Sequence, residues 1–473
     1  MKLEEKKQYV ETNLKYLPAE EKKSYDFNFA CVFTKNSVGM ESGNTAKLEE
    51  VVSVIRGTSN HLDESLKRSI YNHYSSYLKM LDHLQATKEI TGAEYCVAVI
   101  SGNFTQRGET SIVNKWAKAY MAICGGADLV IELPTLYSVS SAENFANGAI
   151  KILDSLKIVD SFAFGAEADD LATLNNIANV LYNEPRGYTN ILSHELKKGI
   201  SYPMARENAL MMYLNDIKRY ANVLGSPNNI LAIEYLKALK TQKSHLEPIM
   251  IKRQKVYYNE NRIVDGFASA TGIRDIMKKK QYADLRKVVP NSTYQILGQQ
   301  VKKGEVILSL SKYEKEIIYT LRKMTVAQIA DLPDVSEGLE NTIKSAASNC
   351  NNLTDLITAI KSKRYTQTRI QRILVCALLG INKKMMDMSK KTIPYARILG
   401  FNPKGRMLIS EIANRNPKIN MVTSVKKFVD QNKNKQLAEM LDIDIFATDV
   451  YTLGYEYESK ANLDFTNNMI ITN

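Results

Sequence analysis

Between residues 84 and 285, short apolar runs alternate with amphipathic segments, and this alternation constrains the chain more than any other feature. The runs are residues 95–100 (YCVAVI), 128–133 (DLVIEL), 160–164 (DSFAF) and 248–252 (PIMIK). Segments of helical period, such as VNKWAKAYMAICGG and AENFANGAIKILDSL, stand between them. Strands that are apolar along their whole length and separated by helices are covered on both faces, which implies a parallel sheet in an α/β fold. Ligands of such sheets sit at the carboxyl ends of the strands.

Polar and glycine residues collect at those ends: SGNFTQRGE after the first run, PTLYSVSS (134–141) after the second, GAE after the third and Arg253 after the fourth. Gly102 and Gly165 allow a ligand to approach the backbone closely, and Arg107, Lys115 and Arg253 offer contacts to phosphate or carboxylate oxygens. Taken singly, each glycine is more often a turn. Their convergence on one edge raises the functional reading.

The alternation covers a domain at 81–285. Before it, residues 1–80 carry helical patterns (LEEKKQYVETNLKYL, AKLEEVVSVIRG, ESLKRSIYNHYSSYLKMLDHL), with a stop at Gly-Thr-Ser-Asn, 57–60. After it, 286–395 reads as a helical domain, and 396–473 as a small mixed unit with strand-like pieces such as DIFATDVYTLGY. Residues 361–436 hold 18 Lys and Arg against 3 Asp and Glu, an anion-binding surface in prospect and a source of RNA affinity by counterion release.

Several function classes are excluded by what the chain lacks. Its five cysteines and five histidines occur singly, with no CxxC and no nucleophile motif, so neither a zinc site nor a disulfide framework is expected. No apolar run reaches the about 20 residues of a membrane span, and the first 25 residues are charged, so a cytoplasmic protein without a membrane partner is expected.

The blocks KEITGAEYCVAVISGNFTQRGE, VNKWAKAYMA, GADLVIELP, SSAENFANGAIKILDSL, FGAE, KKGISYP, SPNNILAIEYLKAL, ASATGIR, DVSEGLENTIKSAA, KRYTQTRIQRIL, ARILGFNPKGR and ATDVYTLGY occur in this order over 84–473. They resemble the tRNA(Met) cytidine acetate ligase family, of the HxGH-type nucleotidyltransferase-like group. The resemblance implies a Rossmann-like nucleotidyltransferase domain. It implies activation of acetate by ATP, as its Mg²⁺ complex, to acetyl-adenylate, and transfer of the acetyl group to N4 of the wobble cytidine of elongator tRNA(Met). By the same resemblance Gly165, Asn228 and Arg253 are ATP contacts. Ser269, Thr271 and Arg274 in SATGIR match the Ser/Thr-x-Ile-Arg phosphate signature at a helix N-terminus. Gly102, Arg107 and Lys115 are candidate phosphate or acetate contacts. Lys363, Arg364, Arg369, Arg372, Lys404 and Arg406 in the basic segment are the expected tRNA grip.

The start of the chain departs from that family, whose members open with an apolar strand and a turn of the form NPFHNGHLYH. Counting back from Leu84 places Tyr77 and Met80 at the two histidines of HxGH, and neither carries an imidazole. Lys79 is the cation within that turn. Residues 26–80 instead resemble the N-terminal region of Fic proteins, with Ser37 and Glu41 in the place of their inhibitory-helix pattern. The catalytic Fic loop HPFxxGNGR is absent from the sequence. Loss of the first strand leaves a vacant lane in the sheet; residues 27–33 (FNFACVF) are one occupant to weigh, but their Fic resemblance and helical surroundings argue against it. Two readings follow: a working ligase, or a catalytically impaired homologue that retains tRNA binding.

Overall fold

The computed structural model of the protein describes residues 30–34, 83–252 except 201 and 222, and 270–472 except 337 and 363. One sheet organises it, in the order β5-β4-β1-β2-β3-β6-β7, with β8 also on β6. The strands are β1 (Ala30–Thr34), β2 (Tyr95–Ser101), β3 (Leu129–Leu133), β4 (Ser161–Ala166), β5 (Glu247–Lys252), β6 (Ala396–Phe401), β7 (Met421–Val422) and β8 (Ile470–Ile471). The four strands expected from the apolar runs are thus β2 to β5, each within two residues of its expected ends.

Side-chain alternation along these strands builds two cores. Tyr95, Val97 and Val99 of β2 join Leu129 and Ile131 of β3 and Phe162 and Phe164 of β4 on one face. Cys96, Ala98 and Ile100 join Val130 and Ala163 on the other. Helices α1 (His83–Thr91) and α2 (Lys115–Cys124) cover the second face through Leu84, Ala119, Ala122 and Ile123. Helices α3 (Ala142–Leu156) and α4 (Pro227–Thr241) cover the first through Phe145, Leu153, Ile233 and Leu236. Removing a Leu- or Phe-sized side chain from water contributes about 1.5–3 kcal/mol. Two complete apolar faces therefore dominate the stability of the domain.

The expected parallel pairing is present, β2 with β3 and β4 with β5, and the sheet also takes antiparallel neighbours, β6 against β3 among them. Two expectations are corrected. First, residues 396–401, expected in an appended unit, enter the main sheet as β6, with all six residues buried. Secondly, DIFATDVYTLGY is largely helical, lying in α8 (Lys435–Thr452) before the turn that follows it. Its Ile, Phe, Val and Tyr favour strands locally, but Leu437, Leu441, Asp444, Thr448 and Tyr451 recur at helical spacing and are buried. Packing against the sheet edge overrides the local preference.

The vacant lane is filled. β1 lies between β2 and β4 and is antiparallel to both, with Ala30 opposite Val99, Thr34 opposite Tyr95 and Val32 opposite Phe162. Of the candidate occupant 27–33, residues 30–33 are strand. The other residues of the Fic-like segment lie outside the described residues. Backbone pairing is available to a strand of either direction, so β1 satisfies the neighbours that a missing strand would leave open.

A proline at Val32 would remove an N–H from a strand paired on both sides. Val32→Pro is expected to lower unfolding stability by about 1–3 kcal/mol in a urea titration, and unchanged stability would remove β1 from the lane.

Candidate active site at the carboxyl edge of the sheet

At the carboxyl end of β4, Gly165 leads into Glu167, whose carboxylate closes onto the start of α4. Glu167 accepts from the Ser226 hydroxyl and from the Asn228 side-chain amide. Asn229 Oδ1 accepts from the backbone N–H groups of Glu167 and Ala168, both at 2.9 Å, and its amide donates to Val223 O at 3.1 Å. FGAE and SPNN therefore form one hydrogen-bonded wall. Two of the expected ATP contacts, Gly165 and Asn228, are brought together there. Glu167, which joins them, was visible in the FGAE block but was not singled out by its sequence context.

Arg274 sits on α5 (Ala270–Lys278), which packs on α2 through Ile276, Met277, Ala117 and Met121. Its guanidinium donates to Thr110 O and to Leu308 O at 3.4 Å, and lies 3.6 Å from Glu109. Arg274 thus fastens its helix to the loop after β2. Thr271 is exposed on the first turn of α5, and Arg107 is half-buried in the same loop. Arg253, Ser269, Tyr77, Met80 and Lys363 lie outside the described residues.

Lys115 is not at a ligand surface. Its side chain is fully buried, 3.2 Å from Glu132 on β3 and 2.7 Å from Asp464 on α9 (Leu463–Thr466). Arg397 of β6 completes the cluster, 3.3 Å from Glu132 and bonded to Asp464. Burial works against ionisation of Asp464, but Lys115 and Arg397 outweigh it and hold that carboxyl below its ordinary value. Gly102 serves the same cluster, since a Cβ there would stand 2.4 Å from Glu132 Oε1. The signal for this arrangement was present in LVIEL (129–133): a lone carboxylate in an otherwise apolar strand requires a buried cation.

Two further ionisable groups at this edge escaped sequence reasoning. Asp444 of α8 accepts from Thr135 N at 2.6 Å and from the Tyr395 hydroxyl. Burial, then the nearby Glu132, push its pKa up to about 6. Lys118, one turn after Lys115 on α2, is 5 % exposed and donates to Gly102 O at 2.8 Å. Burial lowers its pKa to about 7, against the pull of Glu132 and with the help of Arg274 and Lys115.

The basic segment borders this edge. Gly108, in the SGNFTQRGE loop, has φ +70° and no room for a Cβ, which would meet the Arg372 backbone nitrogen at 2.3 Å. That nitrogen belongs to α6 (Gln367–Leu378), so the loop lies directly on the basic helix. Two of the expected tRNA contacts on α6 are engaged internally. Arg369 donates to Asp334 O and Ser336 Oγ, and Arg372 is 2.9 Å from the Asp334 carboxylate. Arg364, Lys404 and Arg406 are exposed, with Lys404 5.6 Å from the Tyr95 ring.

A doubly covered sheet with glycine turns, a wall of amides and carboxylate, and cations gathered at its carboxyl edge defines an α/β nucleotide-binding domain. The family model described as HIGH Nucleotidyl Transferase matches residues 80–464. The tRNA(Met) cytidine acetate ligase of Thermoanaerobacter pseudethanolicus is 44% identical over 390 residues, 82% of this chain and 95% of that one. That of Acetivibrio thermocellus is 42% identical over 399 residues, 83% of this chain and 96% of that one. The crystal structure of Thermotoga maritima TmcAL (apo, form I) superposes with a TM-score of 0.78 at 30% identity, covering 82% of this chain and 95% of that one. The form bound with alpha-thio ATP gives 0.76 at the same identity and coverage. The chain belongs to the HIGH nucleotidyl transferase family and, within it, to the tRNA(Met) cytidine acetate ligase family.

Lys115→Met would leave Glu132 and Asp464 buried with one countercharge fewer. The expected cost is about 3–5 kcal/mol in chemical unfolding, and a loss below 1 kcal/mol would contradict the buried cluster. For Lys118 the sign is opposite to that of a paired cation. An unfolded-state lysine titrates near pKa ~10.4, so between about pH 7 and pH 10 the unfolded chain binds more protons and stability rises with pH. Below about pH 7 the burial cost is present in full. Stability of the wild type relative to Lys118→Met is expected to climb across that window, and parallel pH profiles would contradict it.

Proposed function

We propose that this protein is an ATP-dependent acetate ligase that forms N4-acetylcytidine at the wobble position of elongator tRNA(Met) by way of acetyl-adenylate. The observation that carries the reading is the joined FGAE and SPNN wall at the carboxyl end of β4, in a chain aligned along nearly its relatives' whole length. Gly165 and Asn228 would face the nucleotide, and Arg253, Ser269, Thr271 and Arg274 would meet its phosphates. Gly102, Arg107 and Lys115 were candidates for phosphate or acetate. Of these, Arg107 keeps that assignment, while Gly102 and Lys115 serve the buried cluster behind the site.

The chemistry asks for position and charge more than for covalent help. An acetate oxygen attacks the α-phosphorus in line, the bond to pyrophosphate breaks, and cations stabilise the departing charge. The cytidine amine then attacks the acetyl carbonyl and AMP leaves. Among the described residues no group of three His, Cys, Asp or Glu side chains could hold a metal ion. Mg²⁺ would enter as part of the ATP substrate, where it neutralises phosphate charge.

The tRNA would lie across the basic segment, with its anticodon base unstacked to expose N4. Lys363, Arg364, Lys404 and Arg406 are the expected phosphate contacts. Arg369 and Arg372 would hold α6 in place beneath them. Such a protein works where tRNA and ATP are, in the cytoplasm. Among the described residues no helix is long and apolar enough to cross a membrane.

A second reading is favoured by one observation. β1 enters its lane reversed, so its carboxyl end, Thr34, lies opposite Tyr95 at the amino end of β2. That end of β1 is at the edge of the sheet away from the site, and the HxGH positions hold Tyr77 and Met80. On this reading the chain is an impaired homologue that retains tRNA binding.

Acetate-dependent exchange of labelled pyrophosphate into ATP separates the two, run beside a version with NPFHNGH restored at 74–80. The ligase reading expects exchange by the unmodified protein. Its absence, with tRNA still retained on filters and released by salt, would leave the RNA-binding homologue.

A further inference from the structure

Four cations pack at the carboxyl edge of β2 and β3: Lys115, Lys118, Arg274 and Arg397. Lys115 and Arg397 hold Glu132 and Asp464, and Arg274 stands beside Glu109. Lys118 alone of the four has only a neutral partner, the Gly102 carbonyl, and no carboxylate among the described residues lies within ion-pair distance of it. An ammonium has three donors, and among the described residues this buried one is bonded only to the Gly102 carbonyl.

A buried ammonium without a counterion is unstable unless it sheds its proton or meets an anion. Glu132 pulls on Lys118 without pairing with it, because its carboxylate is bonded to Lys115 and Arg397. Thr110 lies beside Arg274 in the same loop, and its hydroxyl, buried, has no hydrogen-bond partner. An unmet donor on Lys118 and an unmet hydroxyl on Thr110, both at the loop that follows β2, are groups that an oxygen-rich ligand would satisfy.

We infer that Lys118 is an anion-contacting residue of this site, taking an oxyanion, either a phosphate or a carboxylate, on the donors that Gly102 leaves free. This rests on the reading of the carboxyl edge as a site for ATP and acetate, and adds to it a residue outside the family blocks' expected contacts. The groups that face Lys118 are Glu132 from β3, Arg274 from α5 and Lys115 from its own helix. An arriving oxyanion adds negative charge to this set and draws a proton onto the amine. Binding is thereby coupled to proton uptake above neutral pH.

Calorimetric titration of the full chain at pH 8, in two buffers of different protonation enthalpy, reads that coupling directly. Pyrophosphate and acetate are the two probes, with ATP as a third. The expected result is uptake of up to about one proton per bound anion, by whichever probe occupies Lys118; pyrophosphate alone would assign it to phosphate, acetate alone to carboxylate. Lys118→Arg, always charged, is expected to bind that probe without proton uptake. Lys118→Met is expected to lose about tenfold or more in affinity. Unchanged affinity in Lys118→Met with no proton uptake by the wild type would overturn the inference while leaving the ATP site intact. Failure of the wild type to bind ATP or either anion would overturn the site reading and this inference together.

Discussion

Four charges closed inside the molecule hold its distant segments in one piece. Lys115 comes from α2, Glu132 from β3, Arg397 from β6 and Asp464 from α9, and all are buried. Glu132 Oε2, Arg397 Nη1 and Asp464 Oδ2 take no directed hydrogen bond, so the cluster depends on charge balance more than on geometry. In such surroundings each member is tolerable only while the others are present. The C-terminal residues are therefore bound to the sheet. With Glu132 committed to two partners, Lys118 pairs with no carboxylate among the described residues.

The lane held by β1 separates stability from function. Its neighbours β2 and β4 need their backbone groups paired, and an open gap there would be a liability. Either strand direction meets that need. Direction, however, decides which edge of the sheet receives the connection that follows, and ligands of parallel strands are bound at their carboxyl edge. A reversed strand completes the fold while leading its own carboxyl end away from the site.

The two sides of the site are built by different means. The wall of Glu167, Ser226, Asn228 and Asn229 is local, made by one strand end and one helix start, and it is intact. Before α1 the sequence has Tyr77 and Met80 where the family resemblance places the two histidines of HxGH. The basic segment is divided as well: Arg369 and Arg372 brace α6 against the 334–336 loop, while Arg364, Lys404 and Arg406 face outward. Charge counted along the sequence cannot distinguish a brace from a grip, because both use the same side chain at the same spacing.

The four apolar runs, their alternation with helices, the family blocks and the missing HxGH turn could all be read from the sequence, since each is a local pattern of hydrophobicity or residue identity. Local pattern was also sufficient to place Gly165 at the sheet edge, whereas Asn228 followed only from the family resemblance. Local pattern failed where a residue's environment comes from far along the chain. Lys115 looked like a ligand contact until Asp464, 349 positions away, was found 2.7 Å from its ammonium. DIFATDVYTLGY carried strand propensity, and only burial of Asp444, Thr448 and Tyr451 against the sheet edge made it helical. Strand direction in the β1 lane was beyond reach as well: the backbone of a short strand pairs either way, and no local pattern encodes the choice.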